Sequence, residues 1–124
     1  MKARIITDEK LKSNILSDLK LVGVTTDFDL EFRGYSDTYW GRYFTKKKKV
    51  VVYILKNHEG ERYSYDTILN VTLHEALHHY QHQHQEGFVR YDGIMHDRTF
   101  LKMYAEKVDK LKELEVMNEN EEAV

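Results

Sequence analysis

The chain has 124 residues, 41% of them hydrophobic and 32% charged, a balance that predicts one folded domain and argues against a largely disordered chain. The formal net charge of -2 excludes a strong overall basic field for nucleic acid or anionic membranes. Cysteine is absent, so disulfides and thiolate zinc sites are excluded, and any metal must use nitrogen and oxygen ligands.

The first predicted element is an amphipathic helix that begins near Thr7, the predicted N-cap, and stops at Gly23. Alternation then predicts a strand from Phe28 that ends at Gly34. Two further strands, 39–45 and 50–55, are joined by a lysine-rich turn and form a predicted hairpin. These segments predict a small, mostly antiparallel sheet.

A long helix is predicted from Asp66 to Glu86, with Gly87 as its stop. A loop over 88–95 leads to a last helix that begins about Asp97. The resulting prediction is an α+β domain over residues 1–112, followed by an acidic, flexible tail over residues 113–124. No segment is apolar enough to span a membrane, and the N-terminus lacks a signal sequence, so we expect a cytoplasmic protein.

The long helix contains the pattern HExxH, formed by His74, Glu75 and His78. Because four residues advance a helix by about one turn, the two imidazoles share a face and can bind one metal ion. Glu75 lies next to that pair, where it can accept a proton from a water molecule that the metal activates. The pattern predicts metal-assisted hydrolysis, with a metal-free, histidine-rich helix as the alternative.

A catalytic zinc ion needs a third protein ligand, and three histidines are candidates. His96 follows the predicted loop and can fold back onto the helix, so we favour it. His84 has metzincin spacing but requires the helix to break at Gln81, and His82 lies a turn too far along. Asp97 is a further possibility, either as a ligand or as a partner that orients His96.

The HExxH segment, the Tyr80-Gln81 pair that follows it and the segment 96–100 together resemble the SprT-like zinc metallopeptidases. The similarity covers roughly residues 40–105, and Asp97 stands where a glycine is frequent in that family. The resemblance implies a minimal zincin fold, one Zn²⁺ per chain held by His74, His78 and His96, and Glu75 as the catalytic acid and base. It also implies a protein or peptide substrate and, for some members, association with DNA. The zinc ribbon that often follows this domain requires cysteines, which this chain lacks.

Other features have weaker functional interpretations. The strand 50–55 is a candidate sheet edge for binding an extended peptide, and Tyr91 is a candidate for stabilising an oxyanion. The lysines at 46–49 could contact phosphates, although a solvated turn is the preferred interpretation. Solvent-facing positions account for His79 and His82, whereas Trp40 and His58 are assigned to core and turn positions.

Two functions therefore stay open at the level of sequence. The first is a zinc metallopeptidase, and the second is a non-catalytic binding module that a metal stabilises, with DNA or a protein as its candidate partner. Glu75 favours the enzyme, because a structural zinc site is normally closed by four protein ligands and needs no acid beside it.

Overall fold

The computed structural model describes residues 3–85 and 96–119. Three helices and a four-stranded sheet make up this part of the chain, which confirms the predicted α+β class. In chain order the elements are β1 (Ile5–Ile6), α1 (Glu9–Leu21), β2 (Asp29–Tyr35), β3 (Gly41–Phe44), β4 (Lys49–Leu55), α2 (Tyr65–Gln83) and α3 (Arg98–Glu113).

The sheet has the strand order β1-β2-β4-β3 and is mixed. The two outer pairings are antiparallel, as in the predicted hairpin of β3 and β4, but the central pairing of β2 with β4 is parallel. The prediction that Val50–Leu55 is an edge strand was wrong. After β2 the chain forms β3 at the far side of the sheet, and it then returns as β4 between β2 and β3. In the described sheet, β3 is therefore the edge strand on that side.

Local signals place the helix ends to within a few residues. The side chain of Asp8, one residue after the predicted Thr7, caps α1 by accepting from the backbone N–H of Leu11. Gly23 follows the helix with a φ of +78°, as predicted for a left-handed stop. The prediction that Gly34 ends the next strand was wrong, because β2 continues to Tyr35 and the Gly34 N–H donates to the Arg4 carbonyl.

Helix α2 is the central element of the fold. Ser64 caps its start, and it ends at Gln83, three residues before the predicted end, with His84 as the C-cap. Its predicted stop, Gly87, lies outside the described residues. The helix contacts β3, β4 and α3, so polar residues as well as apolar ones are buried along it.

The core lies between one face of the sheet and the helices. Alternate residues of β2 and β4 contribute to it, together with apolar residues from all three helices. Past the end of α3, Met117 is only 2% exposed and the backbone N–H of Asn118 donates to Asp66. The core therefore extends beyond residue 112. The predicted boundary at that residue, between the domain and a flexible tail, stays a prediction. No helix in the described ranges is long and apolar enough to cross a membrane.

Candidate metal centre

The HExxH residues lie in the middle of α2, and the helix places them as the sequence predicts. His74 and His78 are one turn apart on the same face, with ring centroids 5.0 Å apart. The chain reaches His96 immediately before α3, which packs on α2. The packing of these two helices brings the three histidines together, although 18 residues separate His78 from His96 in sequence.

The three imidazoles converge through their Nε2 atoms. Nε2 of His96 lies 3.0 Å from Nε2 of His74 and 2.9 Å from Nε2 of His78. Tetrahedral coordination with metal–nitrogen bonds of about 2.0–2.1 Å places such atoms about 3.3 Å apart. The three residues, named here the histidine site, can therefore hold one metal ion with little movement.

Counting hydrogens on these nitrogens supports a cation at the histidine site. Burial lowers the pKa of His74 and of His78 to about 4, so both rings are neutral at pH 7. Nδ1 of His78 lies 2.9 Å from the acceptor Oε1 of Gln81, so its hydrogen is on Nδ1 and its Nε2 is bare. Nε2 of His96 carries at most one hydrogen, which it can donate to the bare Nε2 of His78. It then has no second hydrogen and no lone pair for the contact with His74, so hydrogen bonds between neutral rings cannot satisfy both contacts. A cation satisfies them together.

Side chains around the site fix the orientation of the rings. Gln81 holds the tautomer of His78, which is the usual task of an outer partner of a metal ligand. Phe100 of α3 stacks on the ring of His78 with a centroid distance of 4.5 Å and an interplanar angle of 15°. The ring of Tyr104 meets His74 edge-on at 5.5 Å. The face on which the three histidines converge is therefore built by packing between α2 and α3 and does not depend on helical spacing alone.

Glu75 borders the same cleft as His74 and His96 and is only 9% exposed. Burial raises its pKa to about 7, because the low-polarity surroundings disfavour the charged form. A carboxyl group with that pKa can both accept and return a proton near neutral pH.

The cleft beside the histidine site has a volume of about 310 Å³. His74, Glu75 and His96 line it together with Val71 and residues 38–41. The core position assigned to Trp40 was wrong, since this side chain is 48% exposed and stacks on Tyr63 at 4.9 Å. Sequence analysis missed the role of these residues because only the tertiary fold brings the segment before β3 over α2.

Gly41 sets how closely β3 approaches α2. A Cβ atom at this position would lie 2.8 Å from Cγ1 of Val71 and 3.0 Å from Cγ of Glu75. These distances are shorter than ordinary van der Waals contacts, so any larger residue would push the strand away from the helix. Because Gly41 has no side chain, β3 can approach α2 closely enough to form one wall of the cleft.

The alternative third ligands have other positions in the structure. Asp97 caps α3, its side chain accepting from the backbone N–H of Phe100 at 2.8 Å. His84 points to Asp27, and the ring of His82 lies 6.0 Å from that of Tyr43. Tyr91, the suggested oxyanion group, lies outside the described residues.

A second group of side chains that could hold a metal ion was not predicted from the sequence. The solvent-facing position assigned to His79 was wrong, because this residue is fully buried. Its Nε2 lies 2.6 Å from Oδ1 of Asp27, and Nε2 of His84 lies 2.9 Å from Oδ2 of the same carboxylate. No local signal indicates this group, since Asp27 is 52 residues from His79 in sequence.

The lysine run at 46–49 divides into two parts. Lys46, Lys47 and Lys48 occupy the exposed turn between β3 and β4, and Lys48 has a positive φ of 49°. Lys49 belongs to β4 and forms ion pairs with Glu31 and Asp29 at 3.3 and 3.8 Å. The first three lysines therefore lie in a solvated turn, which agrees with the preferred interpretation, whereas Lys49 is part of the sheet.

The sequence and the structure were compared with protein-family models, with curated proteins and with solved structures, and nothing matched in any of the three. Membership of the SprT-like family therefore stays a prediction, and the geometry of the site carries the functional inference.

Proposed function

We propose that this protein is a zinc-dependent metallopeptidase of the SprT-like type. One observation carries the proposal: the Nε2 atoms of His74 and His78 lie 3.0 and 2.9 Å from that of His96, on a cleft that Glu75 also borders. Three neutral nitrogen ligands with an acid beside them are typical of a catalytic zinc site, because a coordination position stays free for water or substrate.

A zinc ion bound there would polarise the scissile carbonyl and lower the pKa of water to about 7. Glu75 takes the proton of the attacking water and later donates it to the leaving amine. Without a metal, burial raises the pKa of Glu75 to about 7, and the charge of a bound cation would favour the carboxylate form that accepts the proton. The three histidines serve only as ligands.

The cleft favours an extended peptide as the substrate. The edge strand β3 lies beside Glu75 through Gly41, and an edge strand offers backbone hydrogen bonds to a chain that adds to it. Tyr39 and Trp40, 44% and 48% exposed, give the same cleft an aromatic wall for a substrate side chain. Backbone pairing with little sequence preference is the expected mode of recognition.

The substitution Glu75→Gln tests the proposal. We expect hydrolysis of a denatured protein such as casein to fall by about 10²–10⁴-fold, because the amide cannot accept the proton. Zinc content should stay unchanged, since Glu75 is not a ligand. The matched control is Glu59→Gln, an exposed residue in the turn after β4, which should keep full activity.

Two results would contradict the peptidase. Unchanged hydrolysis in Glu75→Gln would remove the proposed acid and base. Zinc-loaded wild-type protein without any hydrolysis would favour the alternative, a binding module that the metal stabilises. Association with DNA stays a prediction under either function.

A further inference from the structure

We propose that Asp27, His79 and His84 form a second site, for a divalent transition-metal ion such as Zn²⁺. These three residues are named here the Asp27 site. Their ligand atoms lie within 4.8 Å of one another, and both histidines present Nε2 to the same carboxylate. The proposal is independent of the peptidase function, because it shares no ligand with the histidine site.

The donor set suits such an ion. Two imidazoles and one carboxylate are established ligands of first-row divalent metals, and water completes the coordination. Asp27 is 57% exposed at its side chain and His84 36%, so an ion and its water molecules can enter from solvent. The single negative charge offsets half of the charge of the cation.

His79 is already held as a metal ligand would be. Its ring is fully buried and meets Phe28 and Tyr43 edge-on, at centroid distances of 5.3 and 5.4 Å. Nδ1 lies 2.9 Å from the hydroxyl oxygen of Tyr43. When an ion takes Nε2, the hydrogen is on Nδ1 and is donated to that oxygen, which is the outer-partner arrangement common around metal-bound histidine. No buried nitrogen of His79 is then left without a partner.

The position of the three ligands indicates a structural role. His84 is the C-cap of α2, and Asp27 lies in the segment before β2. An ion at the Asp27 site would therefore fasten the end of α2 to the start of β2. Glu75 borders the cleft at the histidine site, so the acid proposed for hydrolysis belongs to that site.

Zinc binding to metal-free, untagged protein tests the proposal. We expect about two equivalents per chain in the wild type, and about one in Asp27→Asn, in His84→Ala and in His96→Ala. The double variant with His84→Ala and His96→Ala should bind none. His58→Ala is the matched control, because that histidine packs against Tyr35 outside both sites and should leave two equivalents.

A second measurement separates the site from loose surface binding. In His96→Ala, added Zn²⁺ should still raise the thermal midpoint, and the further substitution His84→Ala should abolish that rise. Both variants keep the buried His79, and the His84 backbone N–H still donates to Tyr80, so the fold is preserved.

The proposal is overturned if the wild type binds a single equivalent that His96→Ala removes and His84→Ala leaves intact. It is also overturned if a second equivalent persists in both Asp27→Asn and His84→Ala. A peptidase that fails only for lack of hydrolysis would leave the two-equivalent pattern unchanged. If the histidine site bound no zinc, the wild type would bind one equivalent that His84→Ala removes, so the two proposals fail in distinguishable ways.

Discussion

His78 and His79 are adjacent in sequence, yet they point into two different groups of side chains. His78 faces α3 and joins the histidine site, whereas His79 faces Phe28 and Tyr43 and joins the Asp27 site. Successive helix residues are rotated by about 100°, so neighbours on a helix packed on several sides meet different partners. A helix buried in this way can serve two sites at once.

The chemical difference between the two sites lies in charge and access. The histidine site offers neutral nitrogens and borders a cleft of about 310 Å³ that also contains Glu75. A metal held by neutral ligands keeps its full charge for polarising water or a carbonyl. The Asp27 site includes a carboxylate, whose charge weakens that polarisation. We therefore assign catalysis to the first site and a structural role to the second.

The largest expected difference in stability concerns the buried anchor His79 and the exposed ligand His96. His79→Ala should lower the free energy of unfolding by about 2–4 kcal/mol, because it leaves a cavity and removes a hydrogen bond to Asp27. His96→Ala should change it by less than about 0.5 kcal/mol, since that side chain is exposed. Urea denaturation in the presence of a chelator measures both without a metal contribution. If both substitutions lowered the free energy of unfolding by the same amount, the expected contrast between buried His79 and exposed His96 would be wrong.

A smaller effect is expected at the wall of the histidine site. Gly41→Ala should cost about 1–3 kcal/mol, because the added methyl group overpacks Val71 and Glu75. Gly34→Ala is the matched control in a strand: its Cβ would meet nothing closer than 3.6 Å, so little change is expected. Thermal denaturation of the two variants compares them directly. If Gly41→Ala proved as stable as Gly34→Ala, the close approach of β3 to α2 would not be required.

The smallest expected effect concerns Asp97, next to His96. Asp97→Ala should lower stability by about 1 kcal/mol through loss of the cap on α3, and Asp97→Asn should restore most of it because asparagine also caps helices. Zinc content should be unchanged in both variants, in contrast to Asp27→Asn at the Asp27 site. Loss of zinc in Asp97→Asn would make Asp97 a ligand and would remove this difference between the two aspartates.

Much of the fold follows from local patterns. Alternating residues in β2 and helical spacing in α2 predicted those elements, and the starts predicted for α1 and α2, near Thr7 and Asp66, lie within two residues of the observed ones. The end of α2 was predicted three residues too late, because the last turn depends on contacts of His84 that no local pattern reports. Sheet order was also inaccessible, since a hairpin pattern does not tell which strand the returning chain will join.

The sequence by itself determined the chemistry available on α2. The spacing of His74, Glu75 and His78 places two imidazoles and an acid on neighbouring positions of one helix, because a helix repeats every 3.6 residues. Only the tertiary structure decided that His96 meets this pair, that β3 and Trp40 close the cleft, and that Asp27 reaches His79. These contacts join residues that are far apart in sequence. Packing between the helices and strands brings them together, and the whole core determines that packing.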